Sequence, residues 1–147
     1  MEECFYRIPF DFASILDERR GYANLCTELD SIDQHIEMLI GTYPGEHVYD
    51  EDYGTKIWEM DFERIVSLDT WKNRFTECSS QSISKFEKRI SNCEYRLEVN
   101  DVLKESVMSR NVSVRKKVDI FIDATVNSTG ERCRLYYTLF LGPLSKD

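Results

Sequence analysis

Glu87 and Arg89 stand two positions apart in the stretch Ile83-Ser-Lys-Phe-Glu-Lys-Arg-Ile90, and they are the charged side chains best placed for specific chemistry. A carboxylate and a guanidinium held in register make a planar, two-pronged recognition site. The same two groups at an exposed helix end make an ordinary ion pair of small worth. Phe86 and Ile90 fall on one apolar face, so the spacing predicts that residues 83–90 close an amphipathic helix just before the chain turns into strands. A second candidate group lies near the C-terminus. Tyr136 and Phe140, beside Arg132 and Arg134, combine aromatic and guanidinium groups as protein interfaces do.

Other chemistry has little footing. Glu59 with Asp61, or Glu46 with Glu51, would supply two carboxylates for glycoside hydrolysis. The chain carries 27 acidic residues, so such pairs arise by chance. His35 and His47 lack H-x-x-x-H spacing, and His35 is expected on the polar, solvated side of a helix. A Cys–His nucleophile would need one of five scattered cysteines near either histidine. Gly41, Gly45 and Gly54 match neither a dinucleotide fingerprint nor a P-loop. No enzymatic activity, metal or cofactor is expected.

The elements that must position these residues follow from periodicity. Leu29, Ile32, Ile36, Leu39 and Ile40 predict a first helix, capped by Asp30 or Ser31 and ended by Gly41 and Pro44. A turn and an acidic loop follow, through Tyr53-Gly54. Residues 56–66 predict a short helix with Trp58, Phe62 and Ile65 on one face. Asp69 or Thr70 then caps a longer helix along Trp71, Phe75, Cys78, Ser82, Phe86 and Ile90.

After Asn92 the period changes to two. Residues 93–99, 114–126 and 133–141 alternate as strands of a meander, mainly antiparallel, with a hairpin turn near Gly130 and an end at Gly142-Pro143. The expected architecture is α+β, with N-terminal helices packed on a C-terminal three-stranded sheet. The sheet has two edges, and an open edge invites strand addition by a partner. If helices cover only one face, Tyr136 and Phe140 are exposed on the other.

The whole chain, 1–147, reads as one domain, with 1–28 an irregular N-terminal segment. Phe5, Tyr6, Ile8, Phe10 and Phe12 flank Pro9 there, so the segment is expected to lie across the domain. No run reaches the ~18 apolar residues of a membrane span, and the N-terminus lacks a signal-peptide pattern. Cys4, Cys26, Cys78, Cys93 and Cys133 contain no C-x-x-C and are expected to be free thiols in a cytoplasmic setting. A net charge of −8 disfavours nucleic acid and anionic membrane as partners. The acidic middle and the basic Arg115-Lys116-Lys117 give a dipolar surface suited to docking between other proteins.

A series of segments runs Ser31-Ile32-x-x-x-Ile36-x-x-Leu39-Ile40-x-Thr42, Pro44-Gly45-Glu46, Asp52-Tyr53-Gly54 and Ile57-Trp58-Glu59-x-Asp61-Phe62-Glu63. Phe86-Glu87-Lys88-Arg89-Ile90, Thr129-Gly130-Glu131 and Leu141-Gly142-Pro143-Leu144-Ser145 follow, and Ile8-Pro9-Phe10-Asp11-Phe12 precedes them. In this order the segments resemble the small baseplate-wedge family of contractile phage tails and type VI secretion systems, called TssE in the latter and also labelled lysozyme-like. The family's signature is Glu-Pro-Arg; here Lys88 replaces the proline, which restores an amide N–H and frees φ.

The resemblance implies a structural role in the baseplate of a bacterial type VI secretion system, with a wedge protein of a contractile phage tail as the alternative. Glu87 and Arg89 would contact the helical core bundle of the other wedge proteins. The terminal hairpin would pair with strands of the first sheath ring and so template sheath growth. A peptidoglycan hydrolase and a repurposed soluble adaptor are the rival expectations.

Overall fold

The computed structural model describes residues 3–60, 67–105 and 112–142. In chain order the elements are β1 (Phe5–Tyr6), α1 (Phe12–Leu16), β2 (Leu25–Cys26), α2 (Glu28–Gly41), a 3-10 turn (Lys56–Glu59), α3 (Leu68–Phe86), β3 (Ile90–Glu105), β4 (Val112–Val126) and β5 (Arg132–Leu141). Helices come first and a β3-β4-β5 antiparallel sheet follows, the α+β order expected from the change of period.

α2 begins earlier than Asp30 or Ser31 because Thr27 caps it. The Thr27 hydroxyl accepts from Asp30 N–H at 3.1 Å, and the Asp30 carboxylate accepts from Thr27 N–H at 3.2 Å. This reciprocal box satisfies two N-terminal donors at once. Ile32, Ile36, Leu39 and Ile40 are buried, whereas Leu29 in the first turn stays exposed. At the other end, Trp58 Nε1 donates to Ile40 O at 2.9 Å and Thr55 N–H to Thr42 O at 3.0 Å. The loop thus folds back on the helix terminus. Gly54 makes that approach possible: its φ is +123°, and a Cβ there would lie 2.5 Å from Thr42 O. The helix expected over 56–66 is a 3-10 turn over Lys56–Glu59, and 61–66 lie outside the described residues.

Ser67, not Asp69 or Thr70, caps α3, with its hydroxyl accepting from Thr70 N–H at 3.1 Å. The buried line is Trp71, Phe75, Ser79 and Ile83, at strict i, i+4 spacing. Cys78, Ser82 and Phe86 form its half-buried rim, and Ile90 belongs to β3, not to the helix. The helix stops because Glu87 turns extended, with φ −109° and ψ 96°. Its carboxylate then accepts the Arg89 backbone N–H at 2.9 Å, a local bond that competes with a further helical turn.

In the sheet, β4 lies between the other two strands, with Leu97, Ile120 and Tyr137 side by side. β3 starts at Ile90 rather than Cys93 and carries a register shift between Ser91 and Glu94, where Asn92 takes a φ of +50°. One face turns Val118, Ile120, Ile122, Ala124 and Val126 into the core with Leu97, Leu135, Tyr137 and Leu141. The helices cover that face, and Tyr137 Oη donates to Asp33 Oδ1 on α2 at 2.7 Å.

The segment 1–28 is more regular than expected. β1 and β2 pair as an antiparallel ribbon, with Tyr6 opposite Leu25. Ile8 N–H donates to Gln34 Oε1 at 2.9 Å, which ties the ribbon to α2. Tyr6, Ile8, Phe10 and Phe12 nevertheless remain exposed.

Candidate functional site: a buried carboxylate that aims Arg89

The junction of α3 and β3 gathers side chains from three elements. Glu87 is only 3% exposed, and its carboxylate accepts four hydrogen bonds. Oε1 takes Arg89 N–H and Nε, both at 2.9 Å. Oε2 takes Arg89 Nη2 at 2.6 Å and His35 Nδ1 at 2.8 Å. Burial alone would raise the Glu87 pKa, but these bonds from His35 and Arg89 outweigh it and lower it from 4.5 to about 2. The group is a permanent anion at neutral pH.

Arg89 is the exposed half of the pair, its side chain 28% accessible. Nη1 donates to Ser31 Oγ at 2.9 Å, and the Phe5 ring lies 5.5 Å from the guanidinium carbon. A guanidinium has five N–H donors. Among the described residues three are taken, which leaves two for a partner. The arrangement holds a cation in a fixed plane with its back to a buried anion and its front to solvent.

His35 and Ser31 were not identified as site residues from sequence, and His35 is not a solvated residue. It stacks on Tyr53 at 6.0 Å while bonding Glu87, and Tyr53 in turn meets Phe86 edge-on at 5.2 Å. One signal existed: Ser31 and His35 are four apart on α2 and so share a helix face.

Tyr136 and Phe140 are 52% and 55% exposed, on the sheet face opposite the helices. Phe121 sits 5.0 Å from Tyr136, and the Arg96 guanidinium lies 4.4 Å from the Phe121 ring centre. Arg134 makes a bidentate bond to Asp123, at 2.7 and 3.1 Å. Arg132 reaches Asn92 O at 3.2 Å and Glu94 at 3.6 Å. Asp119, almost buried on this outward face, accepts from Tyr136 Oη and Thr138 Oγ1 at 2.7 Å each and pairs with Lys117 at 3.0 Å. Burial pushes its pKa up, but these donors outweigh that and hold it below the usual carboxylate value. The two candidate groups therefore occupy different places. Glu87 and Arg89 face α2 and the N-terminal ribbon, while the four β5 residues line the outer sheet face.

Among the remaining candidates, Glu46 and Glu51 are exposed and Asp61 lies outside the described residues. All five cysteines are unpaired. Among the described residues, no helix is long and apolar enough to cross a membrane, and no cluster of three ligands stands ready for a metal.

A helical layer, a three-stranded sheet and a fixed ion pair where they join define a small α+β module. The chain belongs to the family of baseplate wedge protein gp25, whose sequence profile matches residues 27–131. A Geobacter sulfurreducens crystal structure, described as that of a tail lysozyme, shares the fold with a TM-score of 0.61 at 21% identity. The similarity covers 83% of this chain and 98% of that one. No curated protein sequence matches the chain. The family assignment makes this a phage-tail-like structural baseplate protein, with other baseplate proteins as its partners.

Proposed function

We propose that the chain acts as one wedge domain in the baseplate of a bacterial type VI secretion system, in the cytoplasm and without catalysis. Arg89 docks against the core bundle of the other wedge proteins, and Glu87 holds it in place from behind. The edge of β5, with Tyr136, Phe140, Arg132 and Arg134 beside it, receives strands from sheath subunits. The observation that carries this reading is the Arg89 guanidinium, locked by a buried carboxylate with two donors left over, in a chain of the baseplate wedge family. Membership alone suits a contractile phage tail equally well; neighbouring genes for secretion or capsid components separate the two.

The description of the Geobacter protein brings a peptidoglycan hydrolase into view. Glu87 is unsuited to that chemistry. A general acid must hold its proton near the working pH, and Glu87 loses its proton at about 2.

Co-expression with baseplate wedge proteins from the same genome tests the reading. The wild-type chain is expected to co-purify with them, while Arg89→Ala and Arg89→Lys stay folded by circular dichroism and fail to co-purify. Wild-type stoichiometry in both variants would sink the wedge contact. For the sheath arm, Phe140→Glu should leave wedge co-purification intact and shorten or abolish sheaths seen by electron microscopy. Full-length sheaths with that variant would argue against the β5 edge.

A further inference from the structure

The turn between β4 and β5 is fastened to the Glu87–Arg89 junction by one residue, Asn127. Its Nδ2 donates to Lys88 O at 2.8 Å, its backbone N–H donates to Arg89 O at 2.8 Å, and its Oδ1 accepts from Ser91 Oγ at 2.7 Å. The three bonds span the whole turn that carries Arg89. Ser128, next along, bonds Glu28 at the start of α2, the helix whose Ser31 accepts from Arg89.

The Asn127 side chain is not needed to close its own hairpin. That turn is closed by Val126 N–H to Glu131 O at 2.9 Å, Gly130 N–H to Val126 O at 2.8 Å and Glu131 N–H to Thr129 Oγ1 at 3.2 Å. The side chain spends its hydrogen bonds on residues 88 and 91 instead. Residue 88 has use for them. Lysine leaves φ free, and among the described residues the Lys88 N–H finds no acceptor. A backbone rotation there would swing the guanidinium by several bond lengths.

We propose that Asn127 is a positioning residue for the wedge contact: it latches residues 88–91 so that the Arg89 guanidinium is aligned before a partner arrives. The latch does the work that a rigid residue at 88 would do. Glu87 is already extended, the conformation that a following proline requires. The proposal rests on reading Arg89 as the partner contact.

The test compares the wild type, Asn127→Ala, Lys88→Pro, the double variant and Arg89→Ala. Two readouts are used: affinity for the co-expressed wedge partner, and exchange of the Arg89 Nε–H with water measured by NMR on the free chain. Losing the Asn127 side-chain bonds should weaken affinity and speed exchange by about threefold to tenfold. With proline at 88 the same substitution should change both by less than about twofold. Asn127→Ala with wild-type exchange and affinity overturns the proposal. Equal losses from Asn127→Ala in the lysine and proline backgrounds also overturn it, because they place the effect in the hairpin. Arg89→Ala binding like the wild type removes the wedge reading, and the exchange measurement then still decides whether the latch positions Arg89.

Discussion

Glu87→Gln isolates the charge at the centre of the junction. The amide keeps the shape of the protonated carboxyl and removes the anion that Arg89 and His35 surround. In the fold this carboxyl drops from 4.5 to about 2. Because the folded value is depressed, the anion contributes stability above the unfolded value. That contribution disappears as pH falls through the window from about 4.5 towards 2. At about 1.4 kcal/mol per tenfold change in proton affinity, the charge is worth about 3 kcal/mol at neutral pH. Glu87 itself is buried, but Arg89 and His35 are partly open to solvent, so about 3 kcal/mol is the upper value of this contribution.

Urea unfolding, followed by the fluorescence of Trp58 and the buried Trp71, reads this directly. The wild type should exceed the variant by up to about 3 kcal/mol at pH 7, with the gap closing by pH 2 to 2.5. The other carboxylates titrate in both proteins and largely cancel in the difference. A gap that is the same at pH 7 and pH 2.5, or that never exceeds about 1 kcal/mol, would refute the claim that Glu87 is a buried, paired anion.

Gly54→Ala should destabilise the fold by about 2 kcal/mol or more, since the new Cβ meets Thr42 O at a φ of +123°; urea midpoints measure it. Phe75→Ala, at a fully buried position of α3, should cost about 3 to 5 kcal/mol in the same assay, and a loss under 1 kcal/mol would contradict the packing described. Purified wild-type chain should release no peptidoglycan fragments above a buffer blank. Turnover abolished by Glu87→Gln would overturn the structural reading.

Much of the architecture was legible because burial imposes periodicity. The alternation in β4 and β5 placed both strands and the turn at Gly130, and the i, i+4 run placed α2. Helix starts were misread because capping depends on which hydroxyl meets which amide. Thr27 and Ser67 win over nearby candidates by that geometry. The end of α3 was misread for a related reason: Glu87 satisfies the Arg89 amide, and no apolar pattern registers that bond. Glu87 and Arg89 could be singled out as a pair, but not which of them is buried. His35 looked solvated because its partner is 52 residues away. The N-terminal ribbon was invisible because each of its strands has two residues, too few for a period to show.

The network around Asp119 bears on how the outer face of the sheet meets a visitor. A tyrosine on a bare strand samples several orientations, and freezing one on contact costs about 0.5 to 1.5 kcal/mol. Tyr136 is already held by its hydroxyl, in a frame shared with Thr138 and Lys117. Its ordering cost falls on folding, not on association. The outer face of β5 therefore offers a surface whose shape is set before any contact is made.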